Sequence, residues 1–341
     1  MLYAGSLAFN YDKSAAKGLN LPSGATGIEK SKANAYLEKC LEACQELDDM
    51  QYYALYQKDA DLSLNYSKLF LNRTDNREII FCKAYDGVNM FNYFTQRAIA
   101  RSQTGVAKSG AQINPTLNLV NSYELLATRE IKPMQAYVGE DAIELMTAKT
   151  SDKNYIIYDK PEDIFAGRDP RLAGTVLHAG STFKNKPIDL QAGLAILEDD
   201  GTYTFKSAQS IEAISTANYE GIKMTGEDGP FRAGSSFWYI SHSGFLLRKY
   251  VDTSTGSETK GNSTVPYIVF RYAEVLLNGA EAALLLNMNG VGSYNGKDTK
   301  TLSLDYINKV RKRAGGDEFK LNASELTFNR IINERKVELS F

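Results

Sequence analysis

Two acidic groups in this chain, Glu198-Asp199-Asp200-Gly201 and Glu227-Asp228-Gly229, hold carboxylates close together. Hydrolysis of a glycosidic bond needs two carboxyl groups about 5–10 Å apart across a sugar, a separation that sequence does not fix. Both groups also contain Asp-Gly, a pair favoured in tight turns for backbone reasons. Turn-building is therefore the first reading, and a carboxylate-dependent glycoside hydrolase using Glu198 or Glu227 is the alternative. Imidazole chemistry has little to work with, because His178 and His242 are the only histidines and lie 64 positions apart. Nucleophile elbows, phosphate-binding loops, zinc-protease His pairs and dinucleotide fingerprints are absent. No catalytic residue, cofactor or metal site is expected. Cys40 and Cys44 share one face of an expected helix, but with so few other soft ligands they read as small buried hydrophobes.

Non-covalent recognition is better supplied. The chain carries 21 Tyr, 15 Phe and a single Trp, many outside any helical apolar stripe. An aromatic face suits the C–H patch of a pyranose, while neighbouring amides and carboxylates take its hydroxyls. The stretch after the strand-like run Ile79-Ile80-Phe81 places Tyr93 and Phe94 beside Asn89, Asn92 and Gln96. Tyr93, Phe94 and Trp238 are the candidate stacking residues, with Asn89 and Asn92 as polar partners. Alternation in Phe237-Trp238-Tyr239 sends Trp238 to the face opposite its neighbours, exposed or buried. The competing reading is that these rings fill the core of an irregular region.

Such loops need a scaffold, and the apolar spacing supplies one. Leu37, Cys40, Leu41, Cys44 and Leu47 recur at helical intervals between Lys32 and Met50. A shorter helix is expected over residues 61–70, a turn at Thr74-Asp75-Asn76, and a strand from Glu78. Residues 84–114 read as mostly loop, and Pro115-Thr116 as the start of a short helix through Leu126. Short β-rich segments, Tyr155–Tyr158 and Phe237–Ile240 among them, follow between Gly- and Asp-rich turns. Helical pattern returns over 268–286, with Ala273, Leu276, Leu277, Ala280, Ala283 and Leu284 on one side. Further helices are expected over 303–313 and from Ser324 to the last residue, the three packing as neighbours.

At 341 residues with 43% hydrophobic and 23% charged side chains the chain is of ordinary globular composition, able to bury a large core. Its formal charge of -2, without a basic block, argues against nucleic acid as a partner. No apolar run approaches the roughly 20 residues of a membrane-spanning helix. The opening, Met1-Leu2-Tyr3-Ala4-Gly5-Ser6-Leu7-Ala8-Phe9, lacks the basic start of a signal peptide and reads as the tail of a helix. The helical pattern still running at Glu338-Leu339-Ser340-Phe341, without a Gly or Asn cap, gives the expectation of a piece of a longer protein.

Several ordered blocks resemble the SusD/RagB family. In the last part of the chain they are Pro266-Tyr267-Ile268-Val269-Phe270-Arg271-Tyr272-Ala273-Glu274-Val275-Leu276-Leu277, Ala280-Glu281-Ala282, Ile307-Asn308-Lys309-Val310-Arg311-Lys312-Arg313-Ala314-Gly315 and Glu334-Arg335-Lys336-Val337-Glu338-Leu339. Upstream, Asn114–Glu124, Arg168-Asp169-Pro170-Arg171-Leu172 and Leu246–Val251 are similar to further blocks in the same order. The resemblance implies a mainly α fold: a tetratricopeptide-like helical scaffold with an irregular middle section of short strands and long loops. On that plan one truncated domain comprises helices and a short strand over 1–83, a loop-rich binding section over 84–265 and a helical scaffold over 266–341. It further implies non-catalytic capture of glycans at the outer membrane surface, a SusC-like TonB-dependent transporter as partner, and a lipid anchor outside this chain. A peptide-binding member of the same fold is the other alternative. Read physically, Arg271, Glu274, Glu281, Arg311, Arg313 and Arg335 are cross-helix ion-pair candidates, and Arg168-Asp169-Pro170-Arg171 is a hydrogen-bonded turn anchored by Leu172.

Overall fold

The computed structural model describes residues 1–21, 23, 26–104, 110–135, 156–206, 218–219, 221–229, 239–259 and 261–341. The fold is mainly helical, with short two-stranded sheets. Two compact units are each assembled from separate stretches: residues 1–58, 74–82 and 268–341 form the first, and 59–73 and 83–267 the second.

In the first unit the Ala33–Asp49 helix buries Leu37, Cys40, Leu41 and Cys44, the positions that the apolar spacing marks. The helix expected from Ile268 instead begins at Tyr272, and Tyr267–Arg271 is a strand paired with Ile79–Lys83. Ile268, Val269 and Phe270 are β-branched or aromatic and take the extended form because a partner strand exists nearly 190 positions away, which no local window contains. The helix that follows, Tyr272–Met288, is buried almost all round instead of along one stripe: Val275, Gly279, Ala282 and Leu285 are covered too. Helices Leu2–Phe9, Ala33–Asp49, Thr299–Gly315 and Phe328–Leu339 all pack on it. Gly279 permits one of these approaches, since a Cβ there would lie 3.0 Å from the Tyr306 ring and 3.3 Å from Cys44 Cβ.

Caps account for the shifted helix ends. Thr299–Gly315 starts earlier than expected because the Asp298 carboxylate accepts from Thr301 N at 2.7 Å, and it stops at Gly316, whose φ of 84° suits glycine. Phe328–Leu339 starts later than Ser324 because Thr327 is the cap, accepting from Arg330 N; Ser324 is held in a turn by Asn322. The expected ion pairs join these helices: Arg311 to Glu334 at 2.9 Å and Arg335 to Glu281 at 3.3 Å.

In the second unit Asp61 caps the Leu62–Leu71 helix through Ser63 N and Leu64 N. This helix packs on the short Arg171–Thr175 helix. There Asp169 accepts from the Arg171 guanidinium at 2.6 Å with both side chains buried, and Leu172 is anchored inward, as the turn reading requires. Antiparallel pairs join Val176–Leu177 to Leu246–Leu247, Thr182–Phe183 to Lys186–Pro187, and Leu194–Leu197 to Tyr203–Lys206. A small core of Ile99, Leu177, Phe183, Ile188, Leu246, Leu247 and Val251 draws on the first two of these pairs.

Among the described residues of 84–114 the chain is mostly loop, as expected, with the Phe94–Ala98 helix and a 3-10 turn at Arg101–Gln103 set into it. Two local expectations for this unit change. The helix after Pro115 is shorter than expected, Leu117–Ser122, with Thr116 as its cap. Residues 156–158 and 239–240 form no strand among the described residues. Tyr155, Phe237 and Trp238 lie outside the described residues.

Candidate functional site

The loop following the Ile79–Lys83 strand is built around one carboxylate. Asp86 Oδ1 accepts from the amides of Val88 at 2.9 Å, Asn89 at 2.9 Å and Met90 at 2.8 Å. These bonds hold the Asp86 carboxyl down to about 2, since each favours the ionised form. Gly87, at φ 74°, supplies the reversal. The resulting tip exposes Val88, Met90, Phe91 and Tyr93, a run of apolar side chains turned toward water in a segment whose backbone is fixed.

The base of the tip is braced by the segment over residues 252–265. Asn92 bridges to Ser263; its side-chain amide donates to Val265 O at 3.0 Å while its oxygen accepts from Phe94 N at 3.1 Å. Ser263 Oγ donates to Asp252 Oδ2 at 3.0 Å, and Asp252 N to Thr95 Oγ1 at 3.0 Å. Asn92 thus spends one end of its amide on the bracing segment and the other on its own loop.

Of the candidate residues, Tyr93 is 46% exposed. A Cβ at Gly261 would stand 3.4 Å from its Cζ, an ordinary packing distance, so the ring lies against this stretch of backbone. Phe94, next along, is half-buried: its ring meets Tyr250 edge-on at 6.2 Å and packs on the small core. Asn89 is exposed at the tip. The structure therefore brings Tyr93 and Asn89 to one exposed loop and puts Phe94 and Asn92 underneath it as support. Trp238 lies outside the described residues.

The acidic groups are turns. Glu198 N donates to Thr202 O, Gly201 N to Glu198 O, and Asp200 accepts from Thr202 N at 2.9 Å, closing the Leu194–Lys206 hairpin. Beside Glu227, Asp228 is buried and accepts from Ser102 N and Asp189 N; burial raises its carboxyl. His178 stacks on Phe165 at 4.0 Å, and burial lowers its imidazole, keeping it neutral. Among the described residues, no three His, Cys, Asp or Glu side chains are grouped to hold a metal ion.

A feature that the sequence reading missed lies in the first unit. A polar cleft of about 700 Å³ is lined by Gln45, Asp48, Asp49, Asn295, Tyr306 and Lys309 among others. Lys309 contacts both Asp48 oxygens, at 2.7 and 2.6 Å, and the Tyr272 hydroxyl donates to the same carboxylate. Its residues come from segments 250 positions apart, so no motif announces it. The only local sign is the polar set Asp305, Asn308, Lys309 and Lys312 at helical spacing on the Thr299–Gly315 helix.

A sequence model of the SusD family matches residues 77–341. The SusD-like protein P2 of Formosa agariphila is 30% identical over 157 residues, covering 43% of this chain and 28% of that protein. A SusD-like protein from Bacteroides fragilis aligns with a TM-score of 0.51 at 19% identity, over 94% of this chain and 54% of its own. A SusD-like carbohydrate-binding protein from the same strain gives 0.50 at 19% identity, over 98% and 54%. At such identities the likeness of the solved structures is one of fold, and the chain spans about half the length of each.

Proposed function

The chain belongs to the SusD family, and from that premise we propose that it captures glycans non-catalytically at the cell surface, for delivery to a SusC-like TonB-dependent transporter of the outer membrane. The observation that carries this reading is Tyr93, an exposed ring on a loop already fixed by Asp86 and Asn92. A preorganised aromatic face loses little freedom when a sugar packs on it, and Asn89, exposed on the same loop with its side chain bonded to Asp86, offers its remaining amide capacity to hydroxyls. Attachment to the membrane surface by a lipid anchor belongs to this reading; no helix among the described residues is long and apolar enough to cross a bilayer. A binder is favoured over a hydrolase because the acidic groups are engaged in turns. Calorimetry against a panel of oligosaccharides tests the proposal, with Tyr93→Ala as the variant. Truncating a stacked ring is expected to cost about 1–2 kcal/mol, roughly five- to thirtyfold in Kd. Reducing-end release from the panel would instead support the hydrolase, and a blank panel with peptides bound would support the peptide-binding alternative.

A further inference from the structure

Three Asn-Gly pairs occur in the first unit, at Asn278-Gly279, Asn289-Gly290 and Asn295-Gly296, and the structure treats them differently. Asn278 is in the middle of the Tyr272–Met288 helix, where its side-chain oxygen accepts from Arg335 at 2.7 Å and the Gly279 amide is tied into the helical ladder. Asn289 ends that helix; its side chain donates to Asn34 at 2.5 Å, and Gly290 N donates to Asn287 O at 3.1 Å. Asn295 and Gly296 form the two-residue connection of a hairpin whose register pairs Tyr294 with Lys297 and Ser293 with Asp298. Both have positive φ, 48° and 76°, as such turns demand. Both are exposed; Asn295 donates from its Nδ2 to Gln45 Oε1 at 3.2 Å, and its side chain also bonds the Tyr294 hydroxyl of the same turn. Nothing lies within 4 Å of where a Gly296 Cβ would stand, and the Gly296 amide enters no hydrogen bond among the described residues.

We propose that Asn295 is a site of spontaneous covalent modification, converting to aspartate and isoaspartate with water as the co-reactant. The Gly296 amide nitrogen, deprotonated by solvent base, attacks Asn295 Cγ. An N–Cγ bond forms, the Cγ–Nδ2 bond breaks, and the nitrogen leaves as ammonia with a proton from solvent. Water then opens the five-membered succinimide at one carbonyl or the other. Two-residue strands offer little resistance to the local opening that the ring closure requires, whereas the other two pairs would need a helix or its end to open. The product places a new carboxylate at the edge of the polar cleft, opposite the Gln45 oxygen and on the side of Asp48 and Asp49. The isoaspartate form also lengthens the backbone of the turn three residues before Asp298, the cap of the Thr299–Gly315 helix.

Peptide mapping of the folded chain, aged at mildly alkaline pH, tests this. The expected result is the mass gain of NH2 to OH at Asn295 at least ten times faster than at Asn278 or Asn289, with isoaspartate detectable by enzymatic methylation. The same chain aged in denaturant should react at all three pairs at comparable rates, and Gly296→Ala should slow the folded reaction at Asn295. Equal rates at the three pairs in the folded chain, or an unchanged Asn295 beside reactive denatured controls, would overturn the proposal.

Discussion

Arg271, at the junction of the Tyr267–Arg271 strand with its helix, reaches Glu338 in the final turn of the Phe328–Leu339 helix, Nη1 to Oε1 at 2.5 Å and Nη2 to the Glu338 carbonyl at 2.5 Å. Glu78, which precedes the partner strand, accepts from the same guanidinium at 2.7 Å, and Arg313 closes the group by donating to both carboxylates. All four side chains are buried. Two positive and two negative charges thus neutralise one another where the strand pair, the start of the Tyr272–Met288 helix and the Thr299–Gly315 and Phe328–Leu339 helices meet.

Removing one member should therefore cost far more than a surface pair. Glu338→Ala leaves two guanidinium groups facing one carboxylate, and breaking a buried pair of this kind costs about 3–5 kcal/mol. Adding Arg271→Met restores one charge of each sign, so the double variant should be destabilised by less than the sum of the single changes. Urea unfolding of the three variants reads this directly; additive losses would mean that the four charges do not act as a unit.

The quartet also shows what was legible in sequence. Arg271 and Arg313 stand out as cross-helix ion-pair candidates because charged residues sit among the apolar positions of helical segments. Which carboxylates they meet was not legible, since Glu78 is 193 positions from Arg271 and belongs to a strand. The same distance in sequence hid the strand at Tyr267–Arg271, whose only local sign was β-branched composition. A helix of strong periodicity, such as Ala33–Asp49, could be read almost to the residue even without a side-chain cap. At the candidate site, composition singled out the loop but not the division of labour within it. Tyr93 and Phe94 are adjacent and chemically alike, and only the bracing by Asn92 and the packing on Tyr250 tell the exposed ring from the half-buried one.

Gly174 should resist substitution although it lies in a helix. Alanine gains about 1 kcal/mol over glycine in helix propensity. A Cβ at this position, however, would stand 2.8 Å from the Ser63 carbonyl oxygen and 3.0 Å from Tyr66 Cδ1, and the first of these is backbone with nowhere to go. Overpacking of this sort costs about 1–3 kcal/mol, so Gly174→Ala should lower the melting temperature. Gly292→Ala, with no atom within 4 Å of the added carbon, should leave it nearly unchanged. Equal effects would show that the Leu62–Leu71 and Arg171–Thr175 helices have room to part.

The tip that carries Tyr93 should hold its shape in acid to an unusual degree. Asp86 titrates lower in the folded chain than in the unfolded one, because its ionised form accepts three amide hydrogen bonds. The stabilisation it gives the loop is then fully present above the unfolded carboxylate value near 4 and disappears as the pH falls through about 2. At roughly pH 3, where an ordinary aspartate is mostly protonated, the Asp86 carboxyl carbon should still report the ionised form by NMR. The amide shifts of Val88, Asn89 and Met90 should stay at their neutral values. Asp86→Asn should move those three amides at neutral pH, remove their acid titration and weaken oligosaccharide binding while thermal unfolding of the whole chain changes little. A carboxyl carbon that titrates near 4, or a variant that binds as the parent does, would mean that this carboxylate does not organise the loop that presents Tyr93.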